Sequence, residues 1–143
     1  MNVIRALPVV LFLSLTCVDD GWSIFARVNF KPKYSQEYGG YFLCPQFGND
    51  IRSREGTEVS LRGYYIPFDM VTPNAIVLSK NPYSACFFCG AAGPESVAEV
   101  VFSKKMPRLR LDQIVTVRGK LKLNDTNVDR LTFIIEGAIV ADH

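Results

Sequence analysis

From Ile114 to Leu123 the chain alternates with a period of two. Ile114, Thr116, Arg118, Lys120 and Lys122 fall on one face, and Val115, Val117, Gly119, Leu121 and Leu123 on the other. Successive side chains of a strand point to opposite sides, so this stretch predicts a strand with one wet and one dry face. The same pattern begins at Thr57, where Val59, Leu61 and Gly63 alternate with Glu58, Ser60 and Arg62 before the run continues to Pro67. Residues 75–78, 96–102 and 131–140 supply three further apolar strands, with a turn cluster at Asn124-Asp125-Thr126-Asn127. Residues 105–112 leave room for one short helical turn between the third and fourth strands. These five strands predict an all-β fold, a small OB-like Greek-key barrel. Gly63 and Gly119 sit mid-strand, where they relieve the sharp bend of a small barrel. An immunoglobulin-like sandwich needs about seven strands.

Three segments follow. Residues 1–23 read as a signal peptide, residues 24–56 as an irregular N-terminal extension rich in aromatics, and residues 57–143 as the OB-like barrel. In the extension, Gly39-Gly40, Pro32 and Pro45 break any helix, and one short strand is expected over residues 24–30. Its Phe25, Phe30, Tyr34, Tyr38, Tyr41, Phe42 and Phe47 are expected to pack over the barrel.

The signal reading rests on one positive charge in residues 1–5, a short apolar run over 6–18 and the acidic stop Asp19-Asp20. A bilayer span needs roughly 20 apolar residues, more than this run holds. Two ends of the signal are open. Cleavage after Ser23 fits a small-residue site; alternatively Cys17, in Ser14-Leu15-Thr16-Cys17, is the lipidated first residue of a lipoprotein. Either way the expected location is extracytoplasmic, in the periplasm or as an outer-membrane-anchored lipoprotein, and membrane contact is expected only through an anchor on Cys17.

The formal charge is +2, and without residues 1–23 it is +3, from 15 basic and 12 acidic residues. That is too small for a nucleic-acid footprint. The cluster of Lys104, Lys105, Arg108, Arg110, Arg118, Lys120 and Lys122 reads as a solvated sheet face. Tyr64 and Tyr65 are expected to divide between core and surface.

The chemistry lies in Cys86-Phe87-Phe88-Cys89-Gly90. Two thiols at this spacing are half of a tetrahedral zinc or copper site, or the two ends of a disulfide. Cys44 is the candidate third thiol, so the candidate metal ligands are Cys86, Cys89 and Cys44. Glu95 and Glu99 could add an oxygen but read as solvated strand-edge charges, and the lone histidine, His143, reads as a frayed end. Oxidation is the rival: Cys44 with Cys86 or Cys89 would staple the extension to the barrel, and Cys86 with Cys89 would close a tight ring. A thioredoxin-like redox site is a minor third reading, because it expects a helix after the motif and Gly90 to Pro94 does not read as one. No Gly-rich phosphate loop or catalytic triad is present, so no enzyme is expected. The loop is expected to join the second and third barrel strands and to lie near Cys44, with Phe87 and Phe88 packed on the aromatic extension.

Gly63-Tyr64-Tyr65-Ile66-Pro67 at a strand end, Pro82-Tyr83, and Cys86-Phe87-Phe88-Cys89-Gly90-Ala91-Ala92-Gly93-Pro94-Glu95 together resemble an uncharacterised family of exported bacterial proteins with an OB-like domain. The resemblance covers about residues 57–142. Other members look to carry a Cys-x-His pair near Cys86, where this chain has Phe88 and then Cys89. The resemblance therefore implies metal rather than redox chemistry, and weakly implies company with metal-transport systems. The expected function is an extracytoplasmic metal-binding or metal-handling accessory protein. The alternative is a disulfide-stapled structural or interaction domain of an envelope complex, with no metal.

Overall fold

The structure, a computed structural model, describes residues 20–141. The signal segment before Asp20, Cys17 and His143 lie outside the described residues. Along the chain run helix α1 (Gly21–Phe25), strands β1 (Asn29–Ser35) and β2 (Gly40–Gln46), and helix α2 (Asn49–Arg52). Then come strands β3 (Glu58–Ile66), β4 (Ala75–Ser79), β5 (Val97–Phe102), β6 (Ile114–Leu123) and β7 (Phe133–Val140).

β3 to β7 close into a five-stranded barrel in the order β3-β4-β5-β7-β6, a small all-β OB-like barrel. All neighbours are antiparallel except β5 and β7, which run parallel. The alternation of β6 holds residue by residue: Val115, Val117, Gly119 and Leu121 are buried, while Arg118, Lys120 and Lys122 face solvent. These basic residues form the expected solvated face, and Lys122 bridges Glu136 across the pair at 3.1 Å.

The two mid-strand glycines mark close approaches. β3 pairs with β6 as far as Tyr64 and with β4 from Tyr64 to Ile66, so it must coil at Gly63. A Cβ on Gly63 would run into the Ser79 carbonyl. A Cβ on Gly119 would lie 2.7 Å from the Glu136 carbonyl, where β7 bulges beside Gly137 (φ +60). The coil also overturns the expected division of Tyr64 and Tyr65. Both are half-buried: Tyr65 packs on the main core and Tyr64 on a smaller cluster beneath the cysteine loop.

Two further expectations are corrected. Residues 103–113 form no helical turn; the segment is instead tied by Asn74, whose Nδ2 donates to the Phe102 and Lys104 carbonyls at 2.8 and 2.6 Å. The stretch 24–56 is not irregular. Asp20 caps α1 by accepting from the Trp22 amide at 3.3 Å, and the helix buries Trp22, Ile24 and Phe25, where a strand over 24–30 was expected. β1 and β2 then form an antiparallel hairpin turned at Gly39 (φ +63). The aromatic content of the segment divides accordingly. Phe25, Phe30 and Phe47 converge on Phe133 of the barrel, whereas Tyr34, Tyr38, Tyr41 and Phe42 stay on the hairpin in edge-to-face pairs.

Candidate functional site

The connection between β4 and β5 carries the cysteines, as the strand pattern required. It folds into three 3-10 turns, Tyr83–Ala85, Phe87–Cys89 and Pro94–Ser96. Pro82 starts the first turn, and Gly90, in the left-handed region at φ +76, ends the second. The Tyr83 amide donates to Asp112 Oδ1 at 2.7 Å, which fastens the loop to the β5–β6 connection. Ser96 closes its other end by donating from Oγ to the Gly93 carbonyl at 2.6 Å.

Within this frame Cys86 is buried and Cys89 exposed, and both are free thiols. Their sulfurs lie 3.9 Å apart, and Cys89 Sγ also donates to the Tyr83 carbonyl at 3.0 Å. Desolvation within the loop, followed by the contact with the Cys86 thiol, pushes the Cys89 thiol above its ordinary pKa. A redox nucleophile needs the opposite shift, because the thiolate is the reactive form. The motif is also followed by Gly90 and a bend rather than by a helix, so a thioredoxin-like site gains no support from this geometry.

Cys44 is free and half-buried on β2. Among the described residues, no group of three or more His, Cys, Asp or Glu side chains converges as a metal site. Cys44 therefore does not complete a ligand set with Cys86 and Cys89. Cys44 and the cysteine loop share a cleft instead. It has a volume of about 370 Å³ and is lined by Tyr41 to Pro45 of β2, by Phe87, Pro94 and Val97, and by residues 124–128 and 130–132 of the β6–β7 connection. Phe87 borders this cleft across from the hairpin, but its packing is on Ile66, Val77, Cys86 and Val97 of the barrel side and not on the aromatic extension as expected. Phe88 turns away and stacks on Phe68, with ring centroids 4.5 Å apart.

The two glutamates differ from the solvated charges expected of them. Glu95 is half-buried, with its carboxylate folded back over Gly93. Glu99 on β5 is fully buried and accepts from Arg130 Nη2 at 2.6 Å and Nε at 3.0 Å. This pair anchors the far wall of the cleft. The strand pattern did not mark it, because Glu99 occupies an ordinary position in an apolar run and its partner lies in a turn 31 residues away. Asn124 stiffens the same wall: its Nδ2 donates to the Asn127 carbonyl at 2.7 Å and its Oδ1 accepts from the Asn127 amide at 3.0 Å.

Among the described residues no helix is long and apolar enough to cross a membrane. No protein-family pattern matches the chain. No curated protein matches it either. Among solved structures it is similar to a crystal structure of a DUF3299 family protein from Pseudomonas aeruginosa, at 16% identity over 69% of this chain and 68% of that one, with a TM-score of 0.46. A likeness at that level assigns this chain neither a family nor an activity.

Proposed function

We propose that this protein is an extracytoplasmic, non-enzymatic accessory domain that binds a soft metal ion, zinc or copper(I), through Cys86 and Cys89. The observation that carries the reading is the spacing of the two sulfurs, 3.9 Å. Zinc holds thiolates at about 2.3 Å in a tetrahedron, which sets two sulfurs on one edge about 3.8 Å apart. The pair is therefore spaced to take a metal with little movement. Cys86 is buried, so the ion would enter from the Cys89 side, and two protein ligands leave coordination positions open. An open half-site suits transient holding and hand-over more than permanent storage. A metal-transport system or another envelope complex is the corresponding partner class.

The test loads the reduced domain with one equivalent of zinc or copper(I) and compares bound metal with that of the Cys86→Ser/Cys89→Ser variant. About one metal per chain in the parent and none in the variant supports the reading. Equal metal in the two removes it.

The second reading is an interaction domain in which Cys86 and Cys89 form a disulfide. It is favoured by the open cleft beside the loop. The sulfurs would have to close from 3.9 Å to about 2.05 Å. Intact mass after alkylation without reductant, on protein taken from the envelope, decides this: complete alkylation of Cys44, Cys86 and Cys89 excludes the bond.

Location follows from the proposed export signal, with lipidation at Cys17 the version that leaves Trp22 in the chain. Trp22 is only 4% exposed in the core and donates from Nε1 to the Arg62 carbonyl at 2.9 Å. Cleavage after Ser23 would remove that side chain from the folded domain.

A further inference from the structure

The lining of the cleft by Tyr41, Phe42, Leu43, Cys44 and Pro45 has a geometric meaning. Successive side chains of a strand point to opposite faces. Five consecutive residues can border one cleft only if the edge of the strand, with its backbone groups, faces it. β1 and β2 form a sheet of their own, so this edge of β2 has no strand partner.

The prolines show which backbone groups point into the cleft. In an antiparallel pair, hydrogen-bonded and non-hydrogen-bonded residue pairs alternate. Pro32 faces Leu43 and Phe30 faces Pro45, and both pairs belong to the same alternating set as Tyr34–Tyr41. Proline has no N–H to give a ladder, so this set is the non-hydrogen-bonded one. The amides and carbonyls of Tyr41 and Leu43 therefore point outward, at the cleft. The opposite edge, on β1, offers Pro32 flanked by Lys31 and Lys33, the features that guard an edge against pairing. The β2 edge from Gly40 to Gln46 has no charge at all.

We infer that this cleft binds an extended, uncharged segment of a partner polypeptide, which adds to β2 as a third strand by pairing with Tyr41 and Leu43. The absence of charge on the occupant follows from the walls. Arg130 is neutralised by Glu99, and Asp125 is paired with Arg52 at 3.2 Å. Tyr41 and Leu43, 75% and 52% exposed, offer apolar cover to alternate side chains of the segment. The β6–β7 connection closes the far side, so the slot suits one strand. The hairpin of a second copy would bring β1 in behind β2. The inference stands apart from the metal reading, since no thiol takes part in the pairing.

The test titrates the 15N-labelled domain with the blocked peptide acetyl-Ser-Val-Thr-Val-Thr-Val-Ser-amide. Binding should shift the amides of Tyr41, Leu43 and residues 124–128 and slow hydrogen exchange at Leu43. The same peptide N-methylated at every residue should bind at least about tenfold more weakly, because it lacks donors on both of its edges. Leu43→Pro should weaken binding by at least about tenfold as well, removing only an outward donor and leaving the barrel spectrum unchanged. Val128→Lys, on the opposite wall and independent of the hairpin, should also weaken it by setting an unpaired charge against the uncharged peptide. The inference is overturned by shifts confined to other surfaces, by no shift at about 1 mM peptide, or by undiminished binding of the N-methylated peptide or of Val128→Lys. A concentration-dependent dimer with Leu43 at its contact would also overturn it, assigning the edge to a second copy.

Discussion

Arg130 reaches back from the β6–β7 connection to Glu99 on β5, and the buried carboxylate takes two of its N–H groups on one oxygen, at 2.6 and 3.0 Å. Glu99 Oε2 also accepts from the Leu131 amide at 3.4 Å. One carboxylate thus holds both a side chain and the backbone of the cleft wall. A buried ion pair is no guarantee of stability, because desolvation offsets much of the attraction. Removing one member is another matter.

Glu99→Gln should destabilise the domain by about 3–5 kcal/mol, since it leaves the Arg130 guanidinium largely buried and uncompensated. Replacing both residues with leucine should cost much less. Urea unfolding of the three proteins checks the ordering, and comparable losses in the single and double variants would contradict it.

Gly63→Ala and Gly119→Ala should each lower stability by about 1–3 kcal/mol, with the larger loss at Gly63. At both sites the new methyl group meets a backbone carbonyl, of Ser79 or of Glu136, and neither strand can retreat without breaking its ladder. Gly56→Ala separates this effect from backbone conformation, because Gly56 has a positive φ and open space around it. Thermal unfolding midpoints give the comparison.

The proposed metal binding by the loop should weaken as pH falls. Both thiols must lose a proton to bind, and Cys89 holds its proton to a higher pH than an ordinary thiol. Below the thiol range the apparent affinity should drop by about a hundredfold per pH unit, one factor of ten for each proton. The apo domain carries the opposite linkage. A thiol whose pKa is raised by folding contributes stability at low pH and loses it as pH rises through the ordinary thiol value towards the raised one. Competition with a chromophoric chelator at several pH values tests the first statement, and urea unfolding of the apo domain across the same range tests the second.

A chain starting at Ile24 should be less stable than one starting at Asp20 by about 3–5 kcal/mol, the scale of losing a buried tryptophan. Trp22 is the only tryptophan, so its fluorescence reports directly on the longer form. Its emission should be blue-shifted in the folded state and move red on unfolding. Equal stability of the two chains would show that α1 contributes little.

The barrel was legible because its strands alternate cleanly and its glycines fall where strands cross. The strand from Ile114 to Leu123 has the predicted bounds and faces. The cysteine loop lies between the second and third barrel strands, where the same alternation puts it. The hairpin was hidden, since Lys31, Pro32, Lys33 and Pro45 are poor strand formers and read as breakers; they are tolerated because both edges of a two-stranded sheet are free. Helix α1 was hidden because five residues are too few to show a helical period. For Cys44 the sequence offers only its place as the third thiol and the aromatic Tyr41 and Phe42 beside it, and the course of β2 shows that it borders a cleft instead. Glu99 could not be recognised as buried, because its counter-charge arrives through the fold and not through local sequence.

Phe25 of α1 lies flat on Phe133 of β7, the ring centroids 4.0 Å apart and the planes 5° from parallel. β7 is also the strand that joins β5 to β6 and closes the barrel. The first and last parts of the described chain therefore complete one another, and closure of the barrel needs the later one. During synthesis the early helix has no ring to stack on until residue 133 has been made, and contacts between residues so far apart in sequence form slowly. Residues made before β7 therefore cannot close the barrel on their own.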